Sequence, residues 1–109
     1  MSGTIVIDAA TFVDVRTVDF LRIVEALRAE RGGSVAIDRL LDSADESGLN
    51  MICADELDPA GLAAFGAILE RLRRTVHEGD SFGGFLADLA STIRTDERLL
   101  SNPKMRPHA

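Results

Sequence analysis

The chain has 109 residues, 46% hydrophobic and 28% charged, and its net charge is −6. That length and apolar content predict one domain with a single moderate core, and the acidic balance opposes binding to nucleic-acid phosphate. No apolar run reaches the roughly 20 residues that span a bilayer, the first residues lack the basic and apolar regions of a signal peptide, and the one cysteine, Cys53, has no partner for an internal disulfide, so a cytoplasmic protein with no membrane or nucleic-acid partner is expected.

In chain order, the β-branched run Thr4–Ile7 predicts a first short strand. From Arg16 to Arg31, Phe20, Ile23, Val24 and Leu27 recur at i, i+3, i+4 and i+7, which predicts a helix ended by Gly32 and Gly33. Ser34 suits the cap of a second helix, with stripe Ile37, Leu40, Leu41 and Ala44, stopping near Gly48. Leu49–Ala54 reads as a second strand. Asp58 followed by Pro59 is a strong start signal for a third helix running to about Glu78, with apolar positions Leu62, Phe65, Leu69, Leu72 and Val76. That stripe fits a core-facing helix better than a short paired seam. Asp80 or Ser81 caps a fourth helix with Phe82, Phe85, Leu86, Leu89 and Ile93 inward, and Thr95 starts a last turn through Leu100. Residues 101–109, with Pro103 and Pro107, read as a flexible tail after a globular domain spanning 1–100.

The fold class is thus α/β: a helix-rich small domain of β-α-α-β-α-α order with two short strands. Two strands make a marginal sheet. If they are parallel neighbours, the helix pair between them supplies the crossover, and Asp8, Asp14, Asp55, Glu56 and Asp58 gather at one edge. Sliding the sequence by 45 positions lays Ile5–Arg31 on Asn50–Val76 with seven identities, among them Phe20 with Phe65 and Ile23 with Ile68. An internal duplication is one reading, and shared apolar positions in two amphipathic β-to-α segments is the other.

Charge is concentrated. The window 38–58 holds seven acids against Arg39 alone, while the remaining 88 residues balance 11 acids with 11 bases. Such a region speeds encounter with a basic partner. Bond-making chemistry finds little support. Asp8, Asp55 and Asp58 offer oxygen ligands suited to magnesium, but Asp14 and Asp58 read as helix caps and no phosphate-cradling loop accompanies them, so no metal and no cofactor are expected. Cys53 would need a base such as His77 to act as a nucleophile, and a cysteine on an apolar strand is more often an inert core residue. His77 itself reads as part of the last turn of the third helix. Arg71, Arg73 and Arg74 read as a solvated face. Two glycines in Phe82-Gly-Gly-Phe85 cost a helix about 1 kcal/mol each relative to alanine, and the expectation is that they permit tight internal packing.

These readings point away from an enzyme and toward a protein-binding module. Its most concrete form is a small acidic cytoplasmic inhibitor, an immunity protein or antitoxin, that binds and neutralises a basic toxin such as a nuclease. Asp42, Asp45, Glu46, Asp55 and Glu56 are the expected partner-binding residues. The alternative is a self-associating structural or assembly protein, a homodimer through helix 59–78 or a strand edge.

Overall fold

A computed structural model describes residues 2–8, 10–48 and 50–100; the tail expected at 101–109 lies outside them. The chain divides into two compact units, Met1–Leu57 and Asp58–Ala109. The first contains β1 (Ser2–Val6), β2 (Phe12–Arg16), α1 (Thr17–Ala29), α2 (Val35–Glu46), β3 (Met51–Cys53) and a 3-10 turn at Ala54–Glu56. The second contains α3 (Pro59–Thr75), α4 (Ser81–Arg94) and α5 (Glu97–Leu100). The protein is a small helix-rich α/β fold, as its sequence predicts.

In the first unit the strand order is β2-β1-β3, with β1 antiparallel to β2 and parallel to β3. The sheet therefore has three strands among the described residues where the sequence reading expects two. The addition is β2, entered through a turn in which the Asp8 carboxylate accepts from the Ala10 N–H at 2.7 Å and the Ile7 N–H donates to the Thr11 carbonyl at 2.9 Å. Asp14 is accordingly no helix cap. It stands opposite Thr4 in the ladder, whose hydroxyl donates to it at 3.3 Å. β2 runs straight into α1 with Arg16 at the cap position and no capping side chain. Instead the buried Asp19, in the first turn, accepts from Arg16 at 3.0 and 3.1 Å.

The parallel β1–β3 pair sets Ile5 opposite Ile52, and both are fully buried. Gly3 and Val15 share their face and Phe20, Ile23, Val24 and Leu27 of α1 and Ile37, Leu40, Leu41 and Ala44 of α2 are all buried, as their spacing predicts. Gly3 has a specific task. A Cβ built there falls 2.3 Å from the ring of the fully buried Phe20, so the bare backbone makes room for that ring. α2 opens with the Ser34 hydroxyl accepting from the Ile37 N–H at 3.2 Å. It also closes the far side of β3: the Cys53 N–H donates to Ser43 Oγ at 3.1 Å and the Met51 N–H to Ser47 Oγ at 2.9 Å. Two serines thus satisfy donors that a bare strand edge would leave unpaired.

In the second unit, α3 begins at the Asp58 cap, which accepts from the Gly61 N–H at 2.7 Å. It ends at Thr75, short of Glu78, because Val76 adopts extended dihedrals (φ −84, ψ 136). His77 therefore lies beyond the helix. Asp80 caps α4 through the Phe82 N–H at 2.9 Å, and Leu62, Phe65, Leu69, Phe82, Leu86 and Ile93 are buried. Glu70 on α3 joins Arg73 at 2.8 Å and Arg94 of α4 at 3.2 Å, and these guanidinium groups, Arg73 foremost, hold its carboxyl below the usual range. Asp96 grips Arg98 with both oxygens, at 2.9 and 3.0 Å. The glycines after Phe82 do not serve close packing: a Cβ on Gly84 meets nothing within 4 Å, and one on Gly83 makes ordinary contact with Val76 at 3.5 Å.

The duplication reading finds the two copies alike at Phe20 and Phe65 and at Ile23 and Ile68, all buried. They differ between strand and helix, where the first copy has β2 and the second a 3-10 turn.

Opposite outcomes are expected for two glycine-to-alanine changes. Gly3→Ala should cost about 1–3 kcal/mol through overpacking against Phe20, and Gly84→Ala should gain up to about 1 kcal/mol of helix propensity, both read from urea unfolding midpoints. Arg98, through its side chain and backbone N–H, holds the Asp96 carboxyl below its ordinary range. A carboxyl lowered on folding contributes stability that is complete above the unfolded value and is lost as pH falls through the folded one. Asp96→Asn should therefore be less stable than the parent at neutral pH, with the gap narrowing below about pH 4, as measured by unfolding across a pH series.

Candidate protein-binding surface

On an ideal helix, with about 100° per residue, Asp38, Asp42, Asp45 and Glu46 fall on one stripe of α2, away from its buried positions. The structure gives these acids different employment. Arg28 of α1 meets Asp45 at 2.6 Å and Arg31 meets Asp42 at 3.4 Å, each pair on the surface. Asp38 accepts from the Gly32 N–H at 3.0 Å and so ties down the α1–α2 connection. Glu46 is exposed at the last turn of α2 and makes no ion pair among the described residues.

Asp55 and Glu56 are exposed in the 3-10 turn directly after β3. Their field reaches Cys53, whose thiol is pushed above its ordinary range by burial first and by Asp55 and Glu56 next, with a hydrogen bond to Ser43 opposing the shift. Of the five expected partner-binding residues, Asp55 and Glu56 are thus adjacent and exposed, Glu46 is exposed, and Asp42 and Asp45 face arginines. Exposed pairs of that kind are individually worth about 1 kcal/mol or less. A partner's basic groups can compete for them.

Two of the three carboxylates considered for a metal have structural roles. Asp8 serves its turn and Asp58 its helix, and among the described residues no three of His, Cys, Asp and Glu stand together as metal ligands. A raised thiol pKa is the reverse of what a cysteine nucleophile needs. A cavity of about 220 Å³ lies beside α3, α4 and α5, lined by Ala63, Gly66, Ala67, Ile93 and Leu99, with the Glu70–Arg94 pair at its border. Its walls are almost wholly apolar and carry no nucleophile. The α3 stripe considered as a dimer seam has Leu62, Phe65 and Leu69 fully buried within the chain. No helix among the described residues is long and apolar enough to cross a membrane.

The fold is that of a small helix-rich α/β protein. Its structure is similar to that of the CdiI immunity protein in a solved complex, "CdiA-CT toxin from Burkholderia pseudomallei E479 in complex with cognate CdiI immunity protein". The TM-score is 0.74 at 27% sequence identity, covering 89% of this chain and 98% of that one. No family model matches the sequence, and no curated protein matches it.

Fewer thiolates form at neutral pH when the thiol pKa is raised. Iodoacetamide should therefore modify Cys53 more slowly than a free cysteine peptide, and neutralising the neighbours with Asp55→Asn and Glu56→Gln should speed the reaction at fixed pH, as followed by mass spectrometry.

Proposed function

We propose that this chain is an immunity protein that binds a basic toxin, such as a nuclease, in the cytoplasm and neutralises it by occupying its surface, without catalysis of its own. The observation that carries this reading is the likeness to the CdiI protein over nearly the whole of both chains. The charge distribution supports it independently, since all six net negative charges fall within one window of sequence. Asp42, Asp45, Glu46, Asp55 and Glu56 supply the acidic surface. Asp55, Glu56 and Glu46, all exposed, steer the approach of a basic partner, and Asp42 and Asp45 exchange Arg31 and Arg28 for the partner's cations when docking makes that favourable. Affinity then depends on those few charge pairs that lose their water.

The decisive experiment places this chain in a cell together with the product of the adjacent gene, which this reading expects to be the toxin. Protection from growth arrest is the expected result, and arrest unaffected by the chain would refute the role. For the surface, reversing Asp55 and Glu56 to lysine should slow association about tenfold or more at low ionic strength and flatten its salt dependence. Reversing Asp42 and Asp45 should slow it less. Stopped-flow kinetics over a salt series measures both, and identical rates for parent and Asp55/Glu56 variant would remove this patch from the interface.

A further inference from the structure

Of the chain's five phenylalanines, Phe20, Phe65 and Phe82 are fully buried and Phe85 is half-buried, while Phe12 keeps 65% of its surface exposed. Phe12 opens β2, the edge strand, where the ladder sets it opposite Val6, and Val6 in turn stands opposite Cys53. Cross-strand partners point to the same face of a sheet. Phe12, Val6 and Cys53 therefore form one row across all three strands, on the face opposite Ile5 and Ile52. Met51 lies in the next row of that face, 38% exposed. An open sheet face is ordinarily polar, so an apolar row with Phe12 exposed and Val6 and Cys53 half-buried, beside the exposed Met51, is a surface suited to being covered.

The row ends beside charge. Asp55 and Glu56 follow Cys53 after one intervening residue and are both exposed, and they add to the rise in the Cys53 thiol pKa that burial causes first. We propose that this outer sheet face is the centre of the docking surface: Phe12, Val6, Met51 and Cys53 form the apolar anchor, Asp55 and Glu56 the acidic rim, and the occupant is a toxin surface with an apolar patch bordered by Arg or Lys. This deepens the inhibitor reading and rests on it. An apolar centre enclosed by polar groups is the arrangement in which a few residues supply most of the binding energy. The chain lacks Trp and Tyr, so Phe12 is its aromatic candidate for that task.

The test uses the purified full chain and the product of the adjacent gene, which the inhibitor reading expects to be the toxin. Phe12→Ser and Met51→Ser alter exposed side chains, and their thermal unfolding confirms that each folds. The expected result is a Kd weakened at least about tenfold for Phe12→Ser, together with protection of Cys53, the single cysteine, from a thiol reagent in the wild-type complex. Parental affinity in both variants, with Cys53 labelled as fast in the complex as alone, overturns this proposal and leaves the inhibitor reading standing. Failure of the wild-type chain to bind the toxin overturns both. A wild-type homodimer that Phe12→Ser dissociates overturns the proposal in favour of a second copy as occupant.

Discussion

β3 is three residues long, and everything that follows from the sheet depends on how so short a strand is held. One side pairs in parallel with β1. On the other, the serine hydroxyls of α2 take up the Met51 and Cys53 N–H groups, so the strand has partners on both sides without a fourth strand. Parallel ladders are somewhat less stable per residue than antiparallel ones. The serines and the full burial of Ile52 opposite Ile5 offset that weakness. With β3 fixed, the turn carrying Asp55 and Glu56 is fixed beside it.

The acidic window of the sequence is not one uniform patch in three dimensions. Asp38 and Asp58 are spent on backbone N–H groups and Asp42 and Asp45 on arginines of α1. Local pairing does not erase the net charge, which still biases the long-range field. It does tie Asp42 and Asp45 to arginines that a competing cation would have to displace. Those pairs lie in exposed side chains, the part of a protein that a shared fold leaves open to change. A likeness at 27% identity therefore bears on the class of partner more directly than on which member of that class is bound.

Most of the helical half was legible in the chain itself. Ser34, Asp58 and Asp80 cap α2, α3 and α4 because a short side-chain oxygen ahead of an apolar stripe has one efficient use, and the stripes of α1 and α2 are buried residue for residue. β2 escaped because Asp14 resembles a cap and Arg16 a helix start, although Val13 and Val15 already alternate with Phe12, Asp14 and Arg16 in the period of a strand. Gly3 gave no local sign of its role, since the ring it accommodates comes from Phe20 in another element. The glycines of α4 misled in the other direction, since Gly84 faces open space and Gly83 has room for a Cβ in ordinary contact with Val76.

Sequence by itself determined what depends on neighbours a turn away: helix identity, caps, the buried stripes, the parallel crossover as an option, and the sum of charge. Tertiary structure alone decided the sheet register, which strand lies at the edge, which acids meet arginines and which apolar side chains stay uncovered. The physical reason is distance along the chain. Periodicity and capping act over three or four residues, whereas Arg28 with Asp45, Val6 with Cys53 and Gly3 with Phe20 become neighbours only when the backbone between them has folded.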